Sequence, residues 1–246
     1  MARYKVILAY DGTNFVGSQR QAANSRTVQG ELEKALRKAG WTGKSAILAG
    51  RTDTGVHATG QVAAFDMDWA HSDEQLLKAL NATLPVDLAI KSLHEASTDF
   101  HPRFDATARR YQYRLFCEPI RDPLREKFAW RVWPAVDEYA LKETATIFIG
   151  THDFSSFGSP TRPRSTTVRT VTKAEWRKMP DGEWQFEIQA DAFLYRMVRR
   201  LVFVQVSAAL GKCSNEEVRK AFSRPGKLPA GLAPAHGLTL VEVNYG

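Results

Sequence analysis

Cysteine is scarce in this 246-residue chain: Cys117 and Cys213 are the only two, far apart and in no CxxC pair. That excludes a disulfide framework and a cysteine-built zinc site, and it fits a reducing compartment. No apolar run approaches the roughly 20 residues that cross a bilayer. The opening Met1-Ala2-Arg3-Tyr4-Lys5 enters a strand pattern directly instead of a cleavable signal, so a cytoplasmic protein with no membrane partner is expected. The histidines, His57, His71, His94, His101, His152 and His236, show no HExxH or HxH spacing, and the HxE with PCxxC signature of zinc deaminases is missing. No metal is expected. Walker, Rossmann and GxSxG signatures are also absent, which removes the commonest nucleotide-binding and serine-hydrolase readings.

The remaining composition, 43% apolar and 25% charged, is that of an ordinary globular protein. The length suits one large core or two modest ones. A formal charge of +7 gives the surface a field that attracts polyanions, with RNA, DNA and anionic membranes as candidates. A charge of this size also serves plain solubility, so its placement has to decide.

Residues 3–10 alternate as a strand up to the turn at Asp11-Gly12, and Val28, Leu32, Leu36 and Ala39 mark a helix stripe behind Thr27 as N-cap. Short apolar runs at 46–49 and 61–65 predict two strands around a glycine-rich loop. A capping box from Ser72 to Gln75 opens a second helix, and 87–93 closes the unit as a strand. The order β-α-β-β-α-β is ferredoxin-like. The second half repeats it: strands at 107–116 and 128–133, a helix over 137–150, strands at 167–176 and 183–190, a long helix over 193–210 stopped by Gly211, a short helix from the Ser214 to Glu217 capping box, and a strand over 238–244. The fold class expected is α+β, with two ferredoxin-like halves, 1–105 and 106–246. Their antiparallel sheets join into one extended sheet with helices on one face. The stretch from Gly158 to Arg164 reads as a basic loop, and Arg224-Pro225-Gly226 opens a second irregular stretch.

The densest chemical signal is the segment from Ala49 to Gln61, which carries Arg51, Asp53 and His57 among Gly50, Gly55 and Gly60. The glycines let a ligand approach the backbone. Arg51, two residues before Asp53, would hold that carboxylate ionised and oriented, lowering its pKa by roughly 1 to 3 units if the two are close. Such a group serves as nucleophile or base. The competing account makes Asp53 a turn cap with Arg51 paired to it on the surface. In the strand Ala108 to Phe116, alternation puts Tyr111, Tyr113 and Leu115 on one face and Arg110, Gln112 and Arg114 on the other. Cations beside aromatics suit RNA, although tyrosines on one strand face serve equally well as core. On the long helix Arg199 flanks a buried stripe and calls for an anionic partner, for which Asp53 qualifies; a solvated helix edge is the alternative.

Together, Gly50-Arg51-Thr52-Asp53-Thr54-Gly55-Val56-His57-Ala58, Arg110-Tyr111-Gln112-Tyr113, the run from Phe193 to Arg199, and Ala235-His236-Gly237-Leu238-Thr239-Leu240 resemble the tRNA pseudouridine synthase A family. So do Tyr10-Asp11-Gly12, Gln19-Arg20-Gln21, Thr27-Val28-Gln29, Asn81-Ala82-Thr83-Leu84-Pro85, Phe100-His101-Pro102-Arg103-Phe104 and His152-Asp153-Phe154, in family order. The resemblance implies a homodimeric, cofactor-free enzyme that isomerises uridines at positions 38, 39 and 40 of tRNA in a cleft between two ferredoxin-like halves. It makes Asp53 the catalytic aspartate, Tyr111 the active-site tyrosine, and Arg199 the arginine that pairs with the aspartate. Leu240 becomes an apolar wall under the base, and Arg51, His57, Gln61 and Arg20 become further substrate-binding residues. Ser18, Arg196 and Phe203 depart from the family's usual tryptophan, histidine and glycine.

Two readings from other classes compete. Asp53-Thr54-Gly55 resembles half of an aspartic-protease dyad, but Arg51 would oppose the proton sharing that chemistry needs. A non-catalytic RNA-binding module fits the element order and the charge, yet leaves an arginine-aspartate pairing without a purpose.

Overall fold

The computed structural model describes residues 1–21, 25–160, 165–224 and 228–246. The chain divides into two compact units, Met1–Thr107 with Thr239–Gly246, and Ala108–Leu238. The elements run β1 (Ala2–Tyr10), α1 (Val28–Lys38), β2 (Ile47–Leu48), β3 (His57–Met67), α2 (Asp73–Thr83) and β4 (Leu88–Ala96). There follow β5 (Ala106–Phe116), β6 (Trp130–Arg131), α3 (Glu138–Thr146), β7 (Gly150–Asp153), β8 (Val168–Lys178), β9 (Trp184–Ala190), α4 (Met197–Ala209), α5 (Asn215–Lys220) and β10 (Leu238–Tyr245). The mixed α+β class is as expected, and no helix among the described residues is long and apolar enough to cross a membrane.

In the first unit the strands lie in the order β4-β1-β3-β10, with β2 also on β3. Alternation along β1 buries Tyr4, Val6, Leu8 and Tyr10. Thr27 caps α1 by accepting from the Gly30 N–H at 3.1 Å, and the Ser72–Gln75 capping box starts α2. These caps stabilise each helix by about 1 kcal/mol, and the helices then bury Leu32, Leu36, Leu76 and Leu80 completely, each contributing roughly 1.5–3 kcal/mol. β1 and β3 are antiparallel, with Leu8 opposite Gln61, until the register slips before Tyr10 pairs with Ala58. The strand β10, expected in the second half, runs parallel to β3 in this unit: Thr239 faces His57 and Leu240 faces Ala58. Gly60 makes the approach possible, since a Cβ there would sit 2.2 Å from the Val241 carbonyl oxygen.

The second unit carries the strand order β5-β9-β8-β7, antiparallel throughout, with β6 lying parallel on β5. The helix expected over 137–150 does begin behind Asp137, whose carboxylate accepts from the Ala140 N–H at 2.7 Å, but it ends at Thr146. Gly150, at φ +112°, opens the additional strand β7 instead of capping the helix. The helix expected from Phe193 starts at Met197, because Tyr195 pairs through its backbone with Ser159 and Arg196 turns to φ +61°. Its end is as expected. Gly211 lies at φ +70°, with its N–H on Ala208 and that of Lys212 on Ser207, a Schellman closure. Of the basic loop expected from Gly158 to Arg164, 161–164 lie outside the described residues, as do 225–227 of the second irregular stretch.

Candidate active site

The segment before Asp53 is held through Gly50 and Thr52. The buried Tyr10 hydroxyl, at the end of β1, lies 2.9 Å from the Thr52 hydroxyl, and burial pushes its pKa up to about 12. A tyrosine buried to this degree needs a hydrogen-bond partner, and Thr52 supplies it. The Thr52 N–H donates to the Ser18 hydroxyl at 2.8 Å, and its carbonyl accepts from the Ser18 N–H at 3.1 Å. One turn earlier, the side-chain amide of Gln61, fully buried on β3, accepts from the Gly50 N–H at 3.2 Å and donates to its carbonyl at 2.9 Å. The amide thus stands in for a ladder partner where β2 has ended.

After Asp53 the chain turns tightly: the Val56 N–H donates to the Asp53 carbonyl at 3.1 Å, and Gly55 takes φ +78°. Gly12 presses against this turn so closely that a Cβ would lie 2.0 Å from the Val56 carbonyl oxygen. Its N–H donates to Nδ1 of the buried His57 at 3.0 Å. That bond engages the Nδ1 lone pair. An Asp11 carboxylate oxygen lies 3.2 Å from the same nitrogen, but it accepts from the N–H and hydroxyl of Thr13. The outcome is a rigid frame around Asp53, which is itself half-buried, with Arg51 exposed two residues before it.

Among the described residues Arg51 forms no ion pair, so its expected grip on Asp53 is absent and its guanidinium faces solvent. Arg20, by contrast, is engaged: its N–H donates to the Gln29 side chain at 2.8 Å and its guanidinium lies 2.7 Å from the buried Glu33 carboxylate. Leu240 sits beside Ala58 at the loop end of β3 with no exposed surface. His57, Gln61, Leu240 and Asp53 therefore gather around one loop.

In the second unit, β5 shows the expected two faces. Tyr111, Tyr113 and Leu115 are buried, and Tyr111 stands opposite Ile188 with its ring edge-on to Phe193 at 5.2 Å. The basic face, expected to meet RNA, is largely neutralised within its own sheet. Arg110 lies 3.2 Å and Gln112 3.3 Å from Glu187, while Arg114 lies 2.7 Å from Glu183. Arg199 is half-buried, and its Nε donates to the Ala233 carbonyl at 2.8 Å. The Tyr113 hydroxyl, whose pKa burial holds well above the ordinary value, donates to the next carbonyl, Pro234, at 2.9 Å. Burial pushes His236 down, and the nearby Arg199 charge adds a smaller push the same way. Arg199 is thus strapped to the segment that leads into β10.

Sequence reasoning missed Ser18 and Thr52 as the clamp on the Asp53 loop; Ser18 stood out only as a departure from a family pattern. The one available signal was Tyr10, an aromatic hydroxyl on the inward register of a strand.

The family model for tRNA pseudouridine synthase matches residues 6–105 and 144–246. The chain is 39% identical over 252 residues to a tRNA pseudouridine synthase A of Chloroflexus aurantiacus, covering all of this chain and 89% of that protein. It is 39% identical to the Acetivibrio thermocellus protein of the same name over the whole of both chains, and 38% identical to that of Leuconostoc citreum, covering 98% of the latter.

Proposed function

The chain belongs to the tRNA pseudouridine synthase family, and from that premise we propose that it isomerises uridine to pseudouridine at positions 38, 39 and 40 of tRNA with Asp53 as the catalytic carboxylate. The reaction breaks the bond from N1 to C1′, turns the uracil, and forms a bond from C5 to C1′. The C5 proton leaves and N1 gains one, so no electrons are exchanged and no redox cofactor is required. The target base must first leave its stack, at a cost of a few kcal/mol that backbone contacts offset.

The observation that supports Asp53 most is the frame around it. Thr52 is fixed through its N–H, carbonyl and hydroxyl, and Val56 closes the turn on the other side. A loop whose backbone is held this firmly presents its carboxylate with little reorganisation on the way to the transition state. Tyr111 stacks on the turned-out uracil and assists removal of the C5 proton. Leu240 forms an apolar wall near the base, and His57 and Gln61 shape the loop that receives it. Arg51 and Arg199 bind the RNA backbone, with Arg20 at the margin of the contact. The enzyme acts in the cytoplasm as a homodimer, without a metal.

The test is release of tritium from unmodified tRNA labelled at C5 of uridine. The parent protein is expected to release it, and Asp53→Asn to release none while still binding tRNA. Undiminished release by Asp53→Asn would remove the assignment, and none by the parent would remove the isomerase reading.

A further inference from the structure

The short segment before α4 carries an aromatic ring and a cation that the reaction described above does not use. Tyr195 is 46% exposed, and the Arg196 guanidinium lies over its ring at 4.7 Å from the centroid. Arg196 is the one non-glycine residue with positive φ among the described residues, at +61°. An L-residue bears a steric cost in that region, and such conformations concentrate at ligand contacts. The surroundings hold the backbone there. Tyr195 and Ser159 exchange backbone hydrogen bonds, Leu194 is buried, and Gly158 packs so closely beneath it that a Cβ would lie 2.8 Å from that of Leu194.

Charge separates this arginine from those of β5. Glu187 and Glu183 engage Arg110 and Arg114, whereas no carboxylate among the described residues lies within ion-pair distance of Arg196. Position adds to this. Phe193, whose ring meets Tyr111 at 5.2 Å, is two residues away, a span of roughly 7 Å in extended chain. A cation already settled on an exposed ring meets a phosphate with little ordering cost, and the exposed part of the ring accepts a base.

We infer that Tyr195 and Arg196 bind the nucleotide next to the isomerised uridine, with Tyr195 stacking on its base and Arg196 contacting its phosphate. The inference rests on the tRNA-isomerase reading above. Its test compares the parent with Arg196→Gly, Tyr195→Ala and Tyr195→Phe, measuring binding of unmodified tRNA over a series of salt concentrations together with tritium release. Glycine accepts the left-handed backbone, so Arg196→Gly removes the cation without forcing the turn to change. Arg196→Gly is expected to weaken tRNA binding several-fold and to make the slope of log affinity against log salt shallower by about 1. Tyr195→Ala is expected to weaken binding roughly fivefold or more with that slope retained, and Tyr195→Phe to bind as the parent does. The loss falls on KM, not on kcat. Parental affinity and slope in both Arg196→Gly and Tyr195→Ala, alongside an active parent, overturn the inference alone; an inactive parent overturns the isomerase reading instead.

Discussion

Ser18→Ala takes one oxygen away from the frame around Asp53. The Thr52 N–H, which donates to that oxygen at 2.8 Å, is then left without an acceptor in a place where Ser18 is fully buried and Thr52 only 7% exposed. An unpaired buried N–H costs about 1–3 kcal/mol. The remaining bonds of Thr52, from the Ser18 N–H at 3.1 Å and to Tyr10 at 2.9 Å, keep the segment in the fold. The strain is relieved when Thr52, and Asp53 with it, shifts toward water. At about 1.4 kcal/mol per factor of ten, the seated arrangement loses roughly 5- to 150-fold against shifted ones. Displacement of a reacting group by about 1 Å costs a similar factor. Turnover at saturating tRNA should therefore fall by about one to two orders of magnitude. KM should change little, because binding draws on many phosphate contacts away from this loop. Tritium release gives the rate, and urea unfolding gives the stability, whose midpoint should fall with an unchanged m-value. If stability drops by about 1 kcal/mol or more while turnover stays at the parental rate, the clamp serves only the fold and its link to Asp53 is refuted.

Gly12→Ala would place a methyl group 2.0 Å from the Val56 carbonyl oxygen. The Asp53 turn must then move, and both urea stability, by about 3 kcal/mol, and tritium release should fall together. Arg26 holds the Asp87 carboxyl below its ordinary pKa through two bonds of 2.7 and 2.8 Å. A depressed carboxyl stabilises the fold above its unfolded pKa of about 3.9 and loses that contribution as pH falls through the folded value. Asp87→Asn should thus be less stable than the parent at pH 7, and the gap between their urea midpoints should close as the pH falls below about 4. A gap that widens in acid would show that the pair does not act through ionisation.

Much of this protein was legible in its sequence wherever the deciding contact lies within a few residues. The alternation of β1, the caps at Thr27, Ser72 and Ser214, and the left-handed stop at Gly211 each depend on a bond or a face that the local pattern already contains. The loop around Asp53 announced itself through its residue types, as did the two faces of β5. Other features follow from which distant partner a buried polar group finds, and no local pattern records that. Ser18 reaches Thr52, Arg20 turns to Glu33, Arg110 of β5 meets Glu187 of β9, and Arg114 meets Glu183 just before that strand. The backbone pairing of Tyr195 with Ser159 delays the start of α4, and the bare face of Gly60 admits β10 beside β3. Burial makes an unpaired donor or charge costly, and only the folded chain decides which donors are buried and which acceptors lie within reach.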